Sequence, residues 1–484
     1  MQLLDRKAIL ERKDLFLTPL GPDTIFDRYA QEGKILLGPF QNELLWKSPL
    51  HPIARPQRQA QTTKIGLDLQ VRTKRLTLSA PKIEDAEALF PLIDDDVMKT
   101  LGFVRCENVE AYSQWLMSQR EQNNPIYILR LNGKPIGSMD FANNSIGYLL
   151  GKKYWNRGYM TEALQGMLDV IFSSGLHRLE ASHLASNPAS GRVMAACGMR
   201  PTHSARFRDE KDGFWRHHIY WEITADDVKA LRGYGTKRRL PRPDLDALFA
   251  RAKDQGDTIL VCDSAPESWW EEVLLRGGHF YGGDEQVYWL IPQNPIARPN
   301  RHTNSEKLDL QNLTLHTDRL TLTSPQERDF KPLWRSLLNP TMAEALSFTP
   351  HQTLESYTKS IQALIAKRKG RSFFWAVREK ETDDTIGTIS YTFDELGYGL
   401  AVESWNKGYG REMLKTACDC LFTKGDAVEL VACHFCSNPA SGRVMAACGM
   451  RPTHIAQLHR FRDGQLVHHV CWQLTEEEFK AKNH

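Results

Sequence analysis

The sequence predicts a mixed α/β protein in which one domain is present twice in tandem. The main observation is a repeat, because the run S-N-P-A-S-G-R-V-M-A-A-C-G-M-R-P-T-H extends from Ser186 to His203 and recurs without a change from Ser437 to His454. Other matching segments lie 243 to 251 residues apart, about half the chain. Strand, hairpin and amphipathic-helix patterns follow in the same order in both copies. A period of this length indicates duplicated domains rather than a solenoid of short repeats.

The first copy shows a strand, a tight turn and a second strand in succession. Ile126 to Leu131 and Pro135 to Phe141 have strand patterns, and Asn132-Gly133 between them supplies the positive φ values that a tight hairpin needs. A third strand, Ile146 to Leu150, follows at once. We therefore expect a mixed, mostly antiparallel sheet.

Helical spacing begins after the turn W-N-R-G-Y. Apolar residues recur every three or four positions and stop before Gly175, which predicts an amphipathic helix. A strand pattern from Arg178 to Leu184 follows, and Asn187 then caps a short helix. The copy closes with an extended pattern from Trp215 to Ile223, and the second copy repeats this order from Phe373 to Leu474. The apolar positions of the first helix are Met160, Ala163, Leu164, Met167, Leu168, Ile171 and Phe172.

Composition places the chain among ordinary globular proteins. It has 484 residues, of which 41% are hydrophobic and 25% charged, and a net charge of +3, too small for a dedicated binder of nucleic acid. No apolar run reaches the roughly 18 to 20 residues of a membrane span, and the first residues are charged where a signal peptide is apolar. Nine cysteines suggest reduced thiols. We therefore expect a cytoplasmic protein without a membrane partner, and the oligomeric state stays open.

Changes in amino-acid composition along the chain divide it into five parts. The Gly-rich, Pro-rich and charged run from Arg232 to Pro243 has linker chemistry. The segments before each P-I-A-R-P motif are rich in Trp, Gly and Pro and read as small appended subdomains. The predicted parts are an appended segment at 1–62, copy 1 at 70–225, the linker at 232–243, an appended segment of copy 2 at 244–300, and copy 2 at 312–478.

A strand-to-helix turn in each copy is a candidate anion site. Residues Trp155 to Thr161 and Trp405 to Arg411 lead from a strand to a helix N-terminus, where unpaired N–H groups and the helix dipole favour a pyrophosphate. Gly158 would let the backbone approach the phosphates, and Arg157 adds positive charge. The alternative is an ordinary turn.

A second candidate feature follows the next strand. Asn187, and Asn438 in copy 2, begin the short helices beside the presumed phosphate turn. Their amides could hydrogen-bond an amide-containing arm of a ligand. The alternative is a helix N-cap.

These motifs, in order, resemble the GNAT superfamily of N-acetyltransferases, and in particular the RimJ/RimL type that acetylates ribosomal-protein N-termini. The resemblance rests on Gly147-Tyr148, Y-W-N-R-G-Y-M-T-E-A-L, S-N-P-A-S-G-R-V and C-G-M, and it covers residues 70–225 and 312–478. It implies acetyl-CoA as cosubstrate and direct transfer without an acyl-enzyme. The implied cofactor-binding residues are Asn156, Arg157, Gly158, Tyr159, Met160, Thr161, Asn187 and Ser190 in copy 1, and Asn406, Lys407, Gly408, Tyr409, Gly410, Arg411, Asn438 and Ser441 in copy 2.

The reaction needs a base, because an aliphatic amine with a pKa near 10 is almost wholly protonated at pH 7. Copy 2 carries Glu395 just before Gly397-Tyr398, where family members often place the base, whereas copy 1 has Ser145 there. We expect Glu395 to be this base, the alternative being a surface or structural carboxylate. Because of this difference, one alternative is that copy 1 binds the cofactor but does not catalyse the reaction.

Two further pairs of equivalent residues bear on the chemistry. Glu162 and Glu412 are reserve catalytic candidates, although a carboxylate in the first turn of a helix also compensates the helix dipole. Met194 and Met445 stand where family members often have a tyrosine that protonates the thiolate, so that role is vacant or filled elsewhere.

The histidines and cysteines are expected to be structural. His217-His218 and His468-His469 occupy equivalent strand positions, so one ring of each pair should face inward. Cys433 and Cys436 have the spacing of half a zinc site, but copy 1 lacks both. We predict no metal.

The appended segments suggest a function of another class. Asp27 to Gly33 and Leu45 to Pro49 are similar to the N-terminal part of leucyl/phenylalanyl-tRNA protein transferases. That likeness implies an aminoacyl-tRNA donor on a basic surface, although these segments could instead cover an exposed sheet edge or the interface between the copies. The basic residues concerned are Arg55, Arg58, Arg298, Arg301 and Lys237 to Arg239.

The function expected from the sequence is N-acetyl transfer from acetyl-CoA to a primary amine, either a protein N-terminus or a small amine. Segments Glu107 to Gln122 and His351 to Lys369 would choose the acceptor, which their composition does not identify. The alternatives are an aminoacyl-tRNA-dependent transferase and a regulatory protein that binds acetyl-CoA.

Overall fold

The structure is a computed structural model of the chain. It describes residues 1–19, 25–50, 52–55, 58–59, 69–101, 105–121, 125–142, 144–209, 212–229, 242–263, 265–284, 286–303, 309–345, 349–368, 370, 372–392, 395–460 and 463–483. Most of the predicted linker, the basic residues 237–239, and Gln122 and Lys369 of the predicted acceptor segments lie outside these ranges.

The strands, in chain order, are β1 (Gln2–Leu4), β2 (Leu15–Pro19), β3 (Ile35–Phe40), β4 (Glu43–Lys47), β5 (Arg58–Gln59), β6 (Val71–Arg72), β7 (Leu76–Ser79), β8 (Ile126–Leu131), β9 (Lys134–Ala142), β10 (Ser145–Leu150), β11 (Arg178–Leu184), β12 (Arg200–Arg208), β13 (Phe214–Thr224), β14 (Thr258–Asp263), β15 (His279–Gly283), β16 (Gln286–Ile291), β17 (Arg301–His302), β18 (Leu315–His316), β19 (Leu320–Thr323), β20 (Phe373–Glu379), β21 (Thr385–Thr392), β22 (Glu395–Leu400), β23 (Glu429–Phe435), β24 (Arg451–Arg460) and β25 (Gln465–Thr475).

The α-helices are α1 (Arg6–Glu11), α2 (Ile25–Gln31), α3 (Asp85–Leu89), α4 (Asp95–Met98), α5 (Val109–Glu121), α6 (Tyr159–Ser173), α7 (Pro188–Ala196), α8 (Ala225–Lys229), α9 (Leu245–Gln255), α10 (Trp269–Leu275), α11 (Glu327–Leu337), α12 (Pro340–Glu344), α13 (Leu354–Ala366), α14 (Tyr409–Thr423), α15 (Pro439–Ala447) and α16 (Glu476–Asn483). Among the described helices, none has the length and apolar character that a membrane crossing requires.

The chain forms two units. Unit 1 comprises Met1–Arg12 and Ala60–His302, and unit 2 comprises Lys13–Gln59 and Thr303–His484. Each unit contains one copy of the repeated domain, built on one large sheet.

The large sheet of unit 1 has the strand order β12-β13-β11-β10-β9-β8-β7-β6, with β17 beside β13. Its neighbours are antiparallel except for β10 and β11, which are parallel. The predicted hairpin is present, with Asn132 and Gly133 at φ 51° and 78° between β8 and β9. Helix α6 buries the predicted apolar positions, apart from the partly buried Phe172.

The large sheet of unit 2 has the strand order β18-β19-β20-β21-β22-β23-β25-β24, with β5 beside β25. Strands β22 and β23 are again the parallel neighbours. Helix α14 packs its apolar face into the core of this sheet. The predicted class, a mixed and mostly antiparallel sheet flanked by helices, is confirmed in both units.

Each unit also holds a small sheet. The order is β1-β14-β16-β15 in unit 1 and β2-β4-β3 in unit 2. From their order in the sequence, residues 244–300 were predicted to belong to copy 2. The structure groups them with copy 1 in unit 1, and it groups residues 13–59 with copy 2 in unit 2. The cause is packing: Trp270 and Trp289 share one core with Trp221 of copy 1, and Trp46 shares one with Trp472 of copy 2. Strands β15 and β3 lie against β12 and β24, at the ends of the large sheets.

Candidate functional site

The candidate phosphate segment of each copy lies at a strand-to-helix junction. In copy 2 it connects β22 to α14, and Asn406 and Gly408 adopt left-handed φ values of 60° and 82°. In copy 1 Asn156 and Gly158 have φ values of 57° and 74° before α6. Asn and Gly are the residues that adopt this conformation with least strain, so the sequence sets the turn locally. We call residues 155–161 and 405–411 the Asn-x-Gly turns.

Tryptophan fixes the entry to each Asn-x-Gly turn. Trp405 Nε1 donates to Leu400 O at 2.7 Å, and Trp155 Nε1 donates to Leu150 O at 2.6 Å. The indole thereby ties the turn to the last residue of the preceding strand. This contact explains why the W-N-[RK]-G-Y motif begins with tryptophan.

The N-termini of α6 and α14 present their first N–H groups without a side-chain cap in the described part of the chain. The first helical N–H that pairs within α14 is that of Glu412, which donates to Gly408 O at 3.2 Å. Uncapped N–H groups at the positive end of a helix dipole attract an anion such as a phosphate. The arrangement is therefore chemically suited to a diphosphate.

An arginine from the start of the sheet braces each turn. Arg319 Nη1 donates to Lys407 O at 2.9 Å, and its guanidinium lies 4.6 Å from the centre of the Tyr409 ring. Arg75 makes the same contacts in copy 1, with Arg157 O at 3.0 Å and the Tyr159 ring at 4.5 Å. We did not predict a role for these arginines. The signal in the sequence was R-L-T-L, which begins at Arg75 in copy 1 and at Arg319 in copy 2.

The reserve catalytic candidates Glu162 and Glu412 bind these arginines. Glu412 accepts hydrogen bonds from Arg319 N at 2.9 Å, Arg319 Nε at 2.8 Å and the Thr317 hydroxyl. Burial by itself would raise the pKa of Glu412, but the hydrogen bonds from Thr317 and Arg319 outweigh it and lower the pKa. Glu162 has the same partners, Thr73 and Arg75, and its pKa is lowered for the same reasons. A carboxylate held ionised in this way suits bracing of the turn better than proton transfer.

We expect Glu412→Gln to lower stability at neutral pH. The amide keeps the size of the side chain but loses the charge that accepts from Arg319, whose side chain is 47% exposed. The expected loss is about 1 kcal/mol, which corresponds to a fall in Tm of about 2–4 °C. Because the folded pKa lies below the ordinary 4.5, this stabilisation is fully present above pH 4.5 and disappears as the pH falls through the lowered pKa.

The measurement is thermal unfolding at pH 7 and at pH 4, with Glu403→Gln as the exposed control in the same turn region. The difference in Tm between wild type and Glu412→Gln should shrink at pH 4. A variant with unchanged Tm but abolished turnover would instead assign Glu412 to catalysis.

The two parallel strands of each copy separate from one another. Strands β10 and β11 pair at Ser145 and Glu180, and β22 and β23 pair at Glu395 and Val431. Over the described residues of these strands there is no further pair, so a gap opens toward their C-terminal ends. We call this gap the strand cleft.

A tyrosine links the two sides of each strand cleft. Tyr398 of β22 donates through its hydroxyl to Ser441 O at 3.0 Å and also contacts Ser441 Oγ at 3.0 Å. Tyr148 makes the same pair of contacts with Ser190. Burial raises the pKa of both tyrosines. The structure thus places Ser190 and Ser441 at the cleft, on the first turns of α7 and α15.

The asparagines differ between the copies. Asn438 Oδ1 accepts from Ser441 N at 3.4 Å, so it serves as the N-cap of α15. Asn187 makes no such cap bond with α7 in the described structure. Both side chains are half-buried beside the cleft. Met194 and Met445 are buried in the hydrophobic cores.

Glu395 is the first residue of β22, next to the strand cleft. Its side chain reaches solvent, yet the surrounding protein removes part of its hydration and raises its pKa, and Cys471 adds to the effect. Cys471 lies opposite Cys433 on the neighbouring strands, with the two sulfur atoms 3.0 Å apart. A raised pKa makes a carboxylate a stronger base, and contact with solvent lets it release the proton.

The histidine pairs alternate across the sheet as predicted. His217 and His468 are buried, whereas His218 and His469 are partly exposed. His217 Nε2 lies 2.9 Å from Arg298 O, and burial lowers its pKa well below the usual range. His468 Nδ1 lies 2.9 Å from Asp27 Oδ1. Both contacts join a large sheet to residues that pack with the small sheet, which suits a structural role.

No group of three His, Cys, Asp or Glu side chains suited to a metal occurs among the described residues. Cys433 faces Cys471 across the sheet, whereas Cys436 lies beyond the end of β23.

Comparison with known proteins gives two matches to one family model. The model, described as an acetyltransferase (GNAT) domain, matches residues 75–200 and again 319–451, together more than half of the chain. Each match contains one Asn-x-Gly turn and one strand cleft.

Individual relatives cover about one copy each. An uncharacterised N-acetyltransferase of Bacillus subtilis (strain 168) is 28% identical over 169 residues, which are 33% of this chain and 99% of the relative. The ribosomal protein uS5-alanine N-acetyltransferase of Escherichia coli (strain K12) is 30% identical over 83 residues, 17% of this chain and 43% of that enzyme. Among solved structures, Mycobacterium smegmatis RimJ in complex with CoA-disulfide is 22% identical and covers 34% of this chain and 95% of its own, with a TM-score of 0.31.

Proposed function

The chain belongs to the GNAT acetyltransferase family, and from this premise we propose that it transfers an acetyl group from acetyl-CoA directly to a primary amine in a ternary complex. It is an acyltransferase with two family domains in tandem. The observation that carries the proposal is the pairing, in copy 2, of an uncapped Asn-x-Gly turn with a carboxylate of raised pKa at the adjoining strand cleft. One feature suits the donor and the other suits the acceptor.

The donor would bind through its diphosphate to the Asn-x-Gly turns. The N–H groups at the start of α6 and α14 would donate to phosphate oxygens, and Arg157, Lys407 and Arg411 are nearby cations that lower the cost of bringing the anion there. A left-handed glycine keeps side-chain atoms away from the phosphates. The arginine braces hold the turns in shape before the donor arrives, which reduces the entropy lost on binding.

The pantetheine arm of the donor would enter the strand cleft. Its amides can pair with backbone groups that the separated strands leave unpaired, as an added strand would. Asn187, Ser190, Asn438 and Ser441 lie at the start of the helices beside the cleft. The thioester would then lie close to Glu395 in copy 2.

Glu395 would take a proton from the acceptor ammonium. The neutral nitrogen attacks the thioester carbonyl, a C–N bond forms, and a backbone N–H stabilises the oxyanion. The C–S bond then breaks, and the second proton lost from nitrogen neutralises the departing CoA thiolate.

The acceptor would be a protein N-terminus or a small amine. Helices α5 and α13, which fall in the predicted acceptor segments, have exposed polar positions that fit many amines. The similarity to an enzyme named for an alanine of ribosomal protein uS5 favours a protein N-terminus. A cytoplasmic location stays a prediction.

The test is mass spectrometry of lysate proteins and metabolites after incubation with isotope-labelled acetyl-CoA. We expect label on an N-terminal amine or on a small primary amine. Binding of acetyl-CoA without turnover over a broad amine panel would favour a sensor. Retention of labelled aminoacyl-tRNA without a response to acetyl-CoA would favour the aminoacyl-transfer alternative.

A further inference from the structure

Each copy has one carboxylate on the same face of the same pair of strands, but on different strands of that pair. In copy 2, Glu395 lies two residues before Gly397 on β22, and Ser390 of β21 is opposite Gly397. In copy 1 the acid and the serine have exchanged strands. Ser145 lies two residues before Gly147 on β10, and Asp140 of β9 is opposite Gly147.

The register fixes the face. Residues two apart on a strand point to one side of a sheet, and residues directly opposite each other on neighbouring strands share that side. Asp140 therefore lies on the face of Ser145, as Ser390 lies on the face of Glu395. Copy 2 has its acid, Glu395, on β22. Copy 1 has no acid at the equivalent position of β10 but has Asp140 on the neighbouring strand β9.

The Asp140 carboxylate extends over β10. A Cβ atom on Gly147 would lie 2.7 Å from Asp140 Oδ1 and 3.0 Å from Oδ2, so the glycine leaves the space that the carboxylate occupies. In copy 2, a Cβ atom on Gly397 would meet only Ser390 Oγ, at 3.2 Å. Strand β10 also forms one wall of the strand cleft, which brings the carboxylate of a β9 residue toward the presumed thioester.

Asp140 is available for proton transfer. Its side chain reaches solvent although neighbouring protein atoms crowd it, and in the part of the chain that the structure describes it has no ion pair. Loss of hydration raises its pKa, partly offset by its own backbone N–H, which is the direction found for Glu395. The other acid near Ser145 is Glu180, and this residue pairs with Arg178.

We propose that copy 1 forms an additional acetyl-transfer site with Asp140 as its general base, so that both halves of the chain catalyse. This inference rests on the proposed function. Asp140 would take one proton from the acceptor ammonium, and the neutral nitrogen would form the C–N bond. The C–S bond would then break, and the second proton from nitrogen would neutralise the CoA thiolate. Because Asp140 is on β9, the acceptor nitrogen of copy 1 would lie nearer to β9 than its counterpart in copy 2 lies to β21.

The experiment compares four full-length chains: wild type, Asp140→Asn, Glu395→Gln and the double variant. The readout is release of the CoA thiol and acetylation of a peptide with an N-terminal alanine and of a panel of small primary amines. We expect Glu395→Gln to retain turnover at copy 1, and Asp140→Asn in that background to lower it by about 10²-fold or more. Calorimetric affinity for acetyl-CoA should change by no more than a few-fold, and the Tm should be kept.

Glu180→Gln in the Glu395→Gln chain is the matched control, since it removes the acid of β11 that pairs with Ser145 and should keep the turnover. Two results would overturn the proposal while the proposed function stands: an active wild type whose turnover is lost with Glu395→Gln alone, or a double variant as fast as Glu395→Gln. A wild type that releases no CoA with any amine would overturn the proposed function, and this inference with it.

Discussion

Glu395→Gln is expected to lower kcat at the second site by about 10²-fold or more, with acetyl-CoA affinity within a few-fold of the parent. The change is made in a chain that already carries Asp140→Asn, so that the turnover measured is that of copy 2. Glutamine has nearly the same size as glutamate but cannot take the ammonium proton. The residue lies at the strand cleft and not at the Asn-x-Gly turn, so binding of the diphosphate should be preserved.

The pH dependence gives a second readout for this variant. The base must be ionised to act, and loss of hydration together with Cys471 raises the pKa of Glu395 above its ordinary 4.5. The rate of the parent should therefore rise with pH through this raised value, and Glu395→Gln should lose that limb. Ser390→Ala, on the same face of β21, is the control and should keep both rate and profile. Unchanged turnover in Glu395→Gln would remove Glu395 from the mechanism.

Features set by local chemistry could be predicted from the sequence. The Asn132-Gly133 hairpin and the Asn-x-Gly turns require positive φ values, and the residues that tolerate them are visible in the sequence itself. The apolar face of α6 was predictable for a similar reason, because its 3.6-residue period is a property of adjacent positions.

Features that depend on contacts between distant segments could not be predicted in the same way. Arg75 reaches Glu162 only because β7 lies beside the start of α6, and the two residues are far apart in the chain. Asp140 was missed because its relation to Ser145 and Gly147 depends on the register of two strands, which a single sequence does not show. Strand β10 alone carries no acid at the position of Glu395, and the acid on that face belongs to β9.

The grouping of the appended segments was missed for the same physical reason. Proximity along the chain placed residues 244–300 with copy 2, but burial of tryptophans decides where a small sheet packs. Large aromatic side chains contribute most to such burial. The sequence shows their number but not the surface they cover.

Gly408→Glu is expected to abolish acetyl-CoA binding at the second site. Gly408 has φ 82°, which is strained for glutamate, and an added Cβ atom would lie 3.3 Å from Arg319 Nη2, the arginine that braces the turn. The new carboxylate would also stand where the diphosphate is proposed to bind. Two unit charges about 4 Å apart at an effective dielectric constant of about 20 repel by about 4 kcal/mol, which is about a thousandfold in affinity.

Titration calorimetry of the full chain should then show the number of acetyl-CoA sites falling from two to one. Gly158→Glu should give the same fall at the first site, where the glycine has φ 74°, and the double variant should bind none. Gly408→Asn separates strain from charge, because asparagine tolerates the left-handed conformation and is neutral, so it should weaken binding far less. If Gly408→Glu still binds two molecules with unchanged affinity, the diphosphate does not lie on this turn, because no arrangement of the helix N-terminus could accept a second anion there without loss.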